Sequence, residues 1–106
     1  MKKILWGLSL LLAVASCGPR IPSPQTVHGK IHKHFQKYGN KYKESEFGRH
    51  KIERVEIVAI REIQKKMAES DAYAHLEGGS TYKVRVIFEK KTFGWKVVSW
   101  ENLGTP

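Results

Sequence analysis

The apolar run from Ile4 to Ala15 ends almost at once in Gly18-Pro19-Arg20, and that stop constrains this chain more than any other feature. A helix that crosses a bilayer needs roughly 20 apolar residues, and this run is broken well short of that. Lys2 and Lys3 precede it and the small residues Ala15 and Ser16 close it, which is the three-part order of an export signal. Such a segment is removed and contributes nothing to a core. What remains of the 106 residues is room for one small domain, of a size at which the buried fraction is marginal.

Cys17, the only cysteine, sits immediately after the run. Val14-Ala15-Ser16-Cys17 resembles the lipobox of bacterial lipoproteins: an aliphatic residue, two small residues that let a peptidase approach the backbone, and a cysteine whose thiol receives the lipid. The resemblance implies cleavage between Ser16 and Cys17 and acylation of Cys17 with fatty acids such as palmitate. It also resolves the odd cysteine, which in an exported chain would otherwise stay reactive or pair with another molecule. No disulfide is then available to the domain. Three acyl chains exceed the two signals that stable anchoring needs, so the expected location is the cell envelope and the first partner is the bilayer itself. Gly18 follows the cysteine where lipoproteins kept in an inner membrane often carry Asp, so the resemblance favours an outer membrane, facing the periplasm, in a host that has one.

The signal (1–16) takes Lys2 and Lys3 and no acid, which leaves 17 basic against 10 acidic residues, a mature charge of +7 before histidines. Residues 17–26 hold three of the four prolines and no apolar period, and read as a lipidated, extended stalk. At about 3 Å per residue such a stalk would hold the following domain, residues 27–103, some 25 Å from the surface. From Val27 onward the pattern is helical. Val27, Ile31, Phe35, Tyr38 and Tyr42 share a stripe, Thr26 is a candidate N-cap, and Lys30, Lys33, Lys37 and Lys41 line another face. Gly29 and Gly39 weaken this helix by about 1 kcal/mol each.

Residues 50–77 admit two readings. Ile52, Val55, Ala59, Ile63 and Met67 suit a long helix, whereas Val55, Ile57 and Ala59 alternate within a stretch rich in β-branched residues. The preferred reading is two strands, 51–63 and 68–77, bending near Gln64-Lys65-Lys66. Gly78-Gly79-Ser80 marks a turn, Tyr82, Val84, Val86 and Phe88 alternate cleanly as a strand, and a second turn at Thr92-Phe93-Gly94 leads to a last strand over residues 95–101. Residues 103–106 are expected to fray. The fold class is α+β, with an N-terminal helix packed on an antiparallel meander of about four strands.

A helix followed by a meander that ends in Phe93-Gly-Trp-Lys-Val-Val-Ser-Trp100, after a strand such as Tyr82-Lys-Val-Arg-Val-Ile-Phe-Glu-Lys90, resembles the cystatin-like group and its nuclear-transport-factor-two-like branch. The resemblance spans residues 27–102. Full members of that branch carry extra helices that close a conical pocket, so a domain with one helix implies a shallow one.

Several clusters carry chemistry. His28 and His32, four apart on the helix, have the spacing of a metal pair, but His34 points elsewhere and no third ligand is evident, so no metal and no cofactor are expected. Asp71, Tyr73 and His75 share a strand face. With Tyr82 they could line a small-ligand or enzymatic cavity, the carboxylate acting as base. Against this stands the more economical reading of a non-enzymatic interaction module. Its candidate partner face is made of Trp95, Trp100 and the lysines Lys30, Lys33, Lys37 and Lys41, with an envelope protein or an anionic polymer as the partner and nucleic acid as the weaker choice. Trp95 and Trp100 have opposite parity along the strand, which predicts one under the helix and one on the open sheet face with Phe93 nearby. The sequence leaves the oligomeric state open.

Overall fold

The computed structural model describes residues 21–106, so Ser16, Cys17 and the signal lie outside the described residues. The described chain runs α1 (Pro24–Lys41), α2 (Glu46–Arg49), β1 (Ile52–Gln64), β2 (Met67–Leu76), β3 (Thr81–Lys91) and β4 (Gly94–Gly104). The strands form one antiparallel sheet in the order β1-β2-β3-β4. The two helices cover one face of it, and this is the expected α+β architecture with α2 as an addition.

Helix α1 starts three residues before the expected position. Ser23 is its N-cap, the Ser23 hydroxyl oxygen accepting the Thr26 N–H at 3.2 Å, so Thr26 donates to the cap instead of forming it. Pro24 follows directly, in the first turn, where a missing N–H breaks no helical hydrogen bond. Pro22, expected in the stalk, is fully buried. Val27, Ile31 and Phe35 are buried as the stripe predicts, and Tyr38 is partly buried against them. Tyr42 ends the helix as its C-cap and is exposed, so it does not complete the stripe.

The single turn α2 carried no period to detect, yet it closes the core. Ser45 caps it by accepting the Gly48 N–H at 3.1 Å, and Phe47 stacks on Phe35 with ring centroids 4.5 Å apart. This contact explains Gly39. A Cβ there would lie 2.2 Å from the Phe47 carbonyl oxygen, so the helix-weakening glycine is what lets α2 seat on α1.

Residues 52–76 are two strands, not a helix, joined through Lys65-Lys66 with Lys66 at φ 63°. Strand β1 explains its own ambiguity. Its pairing with β2 shifts register between Ile52 and Arg54, Ile57 and Ala59, and Glu62 and Gln64. Each shift inserts one residue, so the core-side positions Ile52, Val55, Ile57 and Ile60 are spaced three, two and three apart, and part of that spacing mimics a helix. The inserted Val58 is 49% exposed, and Ala59, expected on the same face as Val55 and Ile57, pairs with Asp71 on the other. The Ser70 hydroxyl donates to the Ala59 carbonyl at 2.9 Å, which satisfies a group that the bulge pulls from the ladder.

Strands β2 and β3 pair without a shift. Ala68, Ala72 and Ala74 on β2 are fully buried beneath the helices, and Val84, Val86 and Phe88 on β3 continue the same face. Small residues on β2 leave room for the bulk of Phe35 and Phe47 above them. Strand β4 runs beyond the expected 95–101: Gly104 still pairs with Lys83, so Leu103 lies within the strand.

Candidate functional site

The lysine row sits where the helical spacing put it. Lys30, Lys33, Lys37 and Lys41 are all exposed along one side of α1, and spacings of three and four residues make each the neighbour of the next. Helix α1 contains no Asp or Glu. Adjacent like charges on a helix repel, where Glu–Lys pairs at the same spacing would attract. Lys41 has a ring contact, its Nζ lying 5.4 Å from the Tyr42 ring centroid.

The tryptophans are not where parity placed them. Register shifts between Ile87 and Phe88, as β3 pairs with β4, so Ser99 faces Ile87, Val97 faces Phe88 and Val98 is the inserted residue. That insertion resets the alternation. Trp95, opposite Lys90, and Trp100, opposite Val86, therefore lie on the same, helix-covered face. Trp95 is 7% exposed, and Trp100 stands edge-on to Phe35 (4.8 Å), Tyr38 (5.0 Å) and His34 (6.0 Å). Neither tryptophan is on the open face, so the expected exposed tryptophan does not exist. The most exposed aromatic among the described residues is Phe93, fully solvent-accessible at the tip of the β3–β4 turn.

His34 reaches into this aromatic group from α1. Its Nε2 is buried without a hydrogen-bond partner, and burial lowers its pKa. His28 and His32 stack at 6.4 Å, and among the described residues no three His, Cys, Asp or Glu side chains are gathered as a metal site would need.

Asp71, Tyr73 and His75 do share a face, the open one. Tyr82 does not: it pairs with Ala74 on the helix side, where its hydroxyl donates to Glu46 at 2.9 Å. That bond, followed by the contact to Arg49, lowers the Glu46 pKa, and the same bond raises that of Tyr82. The four residues thus do not line one cavity. Asp71 is 7% exposed and clamped between two arginines. Arg85 donates through Nε at 2.8 Å and a terminal nitrogen at 3.3 Å, and Arg61 donates at 3.1 Å. Arg85 above all, with Arg61 adding to it, holds the Asp71 carboxyl below the usual carboxylate range even though burial pushes the other way. Arg61 also binds Glu69 at 2.7 Å. A carboxylate so stabilised is a poor proton acceptor. His75 donates from Nε2 to Glu56 at 3.1 Å, and its Nδ1 lies 2.9 Å from the Thr81 hydroxyl. Sequence reasoning missed Arg61, Arg85 and Glu69, although counting back from the Gly78-Gly79 turn puts Arg85 opposite Asp71.

No described helix is long and apolar enough to cross a membrane. No curated protein and no solved structure matches the chain significantly. Residues 1–17 match the family model of the prokaryotic membrane lipoprotein lipid attachment site, which ends on Cys17. The chain therefore carries the attachment site of a bacterial lipoprotein, and its place is a membrane of the cell envelope, held there by lipid.

Proposed function

We propose that the lipid-anchored domain is a non-enzymatic interaction module that presents α1 to an anionic component of the envelope, an acidic protein surface or a polymer. The observation that carries this reading is the exposed lysine row on a helix without a single acid. Four neighbouring cations cost the isolated helix stability, and an anionic partner would reverse that cost. The tryptophans, once counted with this face, now serve as its support: Trp100 braces Phe35 and Tyr38 from below. The helix-then-meander order supports the cystatin-like likeness at the level of architecture. Gly18 after the lipidated cysteine supports placement in an outer membrane, facing the periplasm.

A photo-crosslinker at Gln36, exposed between Lys33 and Lys37, tests the reading in cells. It should capture one anionic envelope component, and Lys30→Glu with Lys37→Glu should abolish capture while the far-ultraviolet dichroism stays unchanged. Undiminished capture by the charge-reversed protein would sink the proposal, as would recovery of nothing beyond bulk lipid.

A further inference from the structure

The two turns that project from one end of the sheet belong together. The Lys90 N–H donates to the Lys66 carbonyl at 2.8 Å, which sets the β1–β2 turn beside the base of the β3–β4 hairpin. That hairpin extends past it through the Lys90–Trp95 and Lys91–Gly94 pairs to Thr92 and Phe93. Lys65, Lys66, Lys90, Lys91 and Lys96 surround this end against the acids Glu62 and Glu89. Lys91 is paired with Glu89 at 2.8 Å, so the excess is positive even after that pair is set aside. Phe93 stands beyond them all, 100% exposed. An apolar tip inside a basic collar suits the boundary between headgroups and acyl chains, where the ring enters and the ammonium groups stay with the phosphates.

The chain path says which membrane this end would meet. Helix α1 passes through α2 into the start of β1, where Ile52 pairs with Leu76 beside the Gly78-Gly79 turn. Since α1 delivers the chain to that end of the sheet, its Ser23 cap lies toward the opposite end, the one with Phe93. Phe35 and Tyr38 touch Trp100, and Val27 lies about 12 Å back along the helix. Pro22 is buried on the domain, so only five residue steps join it to Cys17. Fully extended, they reach about 18 Å. The end that carries Phe93 is thus the end tied to the lipid.

We infer that this end of the sheet rests on the bilayer that holds the acylated Cys17, with Phe93 inserted at the acyl boundary and the surrounding lysines on anionic headgroups. The inference stands on the lipid attachment site and does not depend on the partner proposed for α1.

The lipidated protein provides its own test, because Cys17 is the only native cysteine and an introduced thiol can be labelled alone. An environment-sensitive fluorophore is attached at Thr92→Cys, beside Phe93, or at Glu77→Cys at the far end of the sheet. Each full-length lipidated protein is reconstituted in vesicles of phosphatidylethanolamine with phosphatidylglycerol. The Thr92 label should be quenched by nitroxide lipids and shielded from iodide, while the Glu77 label shows the reverse. Phe93→Ser should weaken insertion of this end about tenfold, as expected for loss of a buried ring, read as lower lipid quenching and greater iodide access. Replacing Lys65, Lys66 and Lys96 with Gln, or using phosphatidylcholine vesicles, should weaken it further. Equal iodide access at the two sites would overturn the inference. So would lipid quenching that persists in Phe93→Ser, or shielding of the Thr92 label that rises with protein density instead of lipid contact, which would point to a second copy of the chain.

Discussion

The two faces of the sheet are built on opposite principles. The helix side is held by packing: alanines form a floor, and Phe35, Phe47 and Trp100 interlock above it. The open side carries no covering element among the described residues, and its centre is held by charge, with Asp71 between Arg61 and Arg85. Both solve the same problem for a domain without a disulfide, namely how to fix four strands on a small core. They differ in what can disturb them. Packing answers to volume, whereas charge pairing answers to pH and salt.

The largest effect belongs to the packed face. Phe35→Ala removes the ring that touches Phe47, Trp100 and His34, and should cost about 3–5 kcal/mol, enough to unfold much of a domain this small at growth temperature. Urea denaturation measures it. On the charged face, Asp71→Asn leaves Arg61 and Arg85 sharing only the Glu69 carboxylate. Solvent reaches both arginines and screens part of the loss, so a cost of about 1–2 kcal/mol is expected. The wild-type protein should show the same loss in acid. The Asp71 carboxyl is held below its ordinary range in the fold, so its contribution is complete above about pH 4 and disappears as the pH falls toward the depressed value. Asp71→Asn should flatten that part of the stability profile.

A third measurement separates the faces by pH. Burial lowers the pKa of His34 on the packed side, so the unfolded chain takes up the proton first. Stability should therefore fall modestly as the pH drops below about 6.5, well before Asp71 responds. His34→Phe keeps a ring against Trp100 and should remove this early decline, and a decline that survives would assign it to another group. The smallest effect belongs to neither face. Val98→Thr alters a bulge residue that is 43% exposed and should shift the urea midpoint by no more than about 0.5 kcal/mol.

How much of this was legible in the sequence depends on whether a strand keeps its period. Strands β2 and β3 pair without a shift, and Tyr82, Val84, Val86 and Phe88 could be assigned to one face by counting in twos. Strands β1 and β4 form the edges and carry all three shifts of one pairing and both of the other. Each inserted residue reverses the count, which is why Ala59 and one of the two tryptophans were expected on the wrong face. The inserted Val58 and Val98 look like core residues by type and are exposed by position. Among functional candidates, the lysine row was legible because helical spacing is local. The clamp on Asp71 was not, because Arg85 is 14 residues away in sequence and meets it only once the turn is placed. Nor was α2, whose single turn has no period at all. Gly39, read from sequence only as a weak point of the helix, shows its purpose once Phe47 is seated beside it.

The burial of Pro22 has one more consequence. A tether shortened to about 18 Å confines the domain to a thin layer over the bilayer, where the effective concentration of headgroups is on the order of millimolar or higher. Contacts far too weak to recruit a free protein from solution would be saturated there. The lysines and the single exposed phenylalanine need not bind the membrane at all strongly; they need only choose which way up the domain stands.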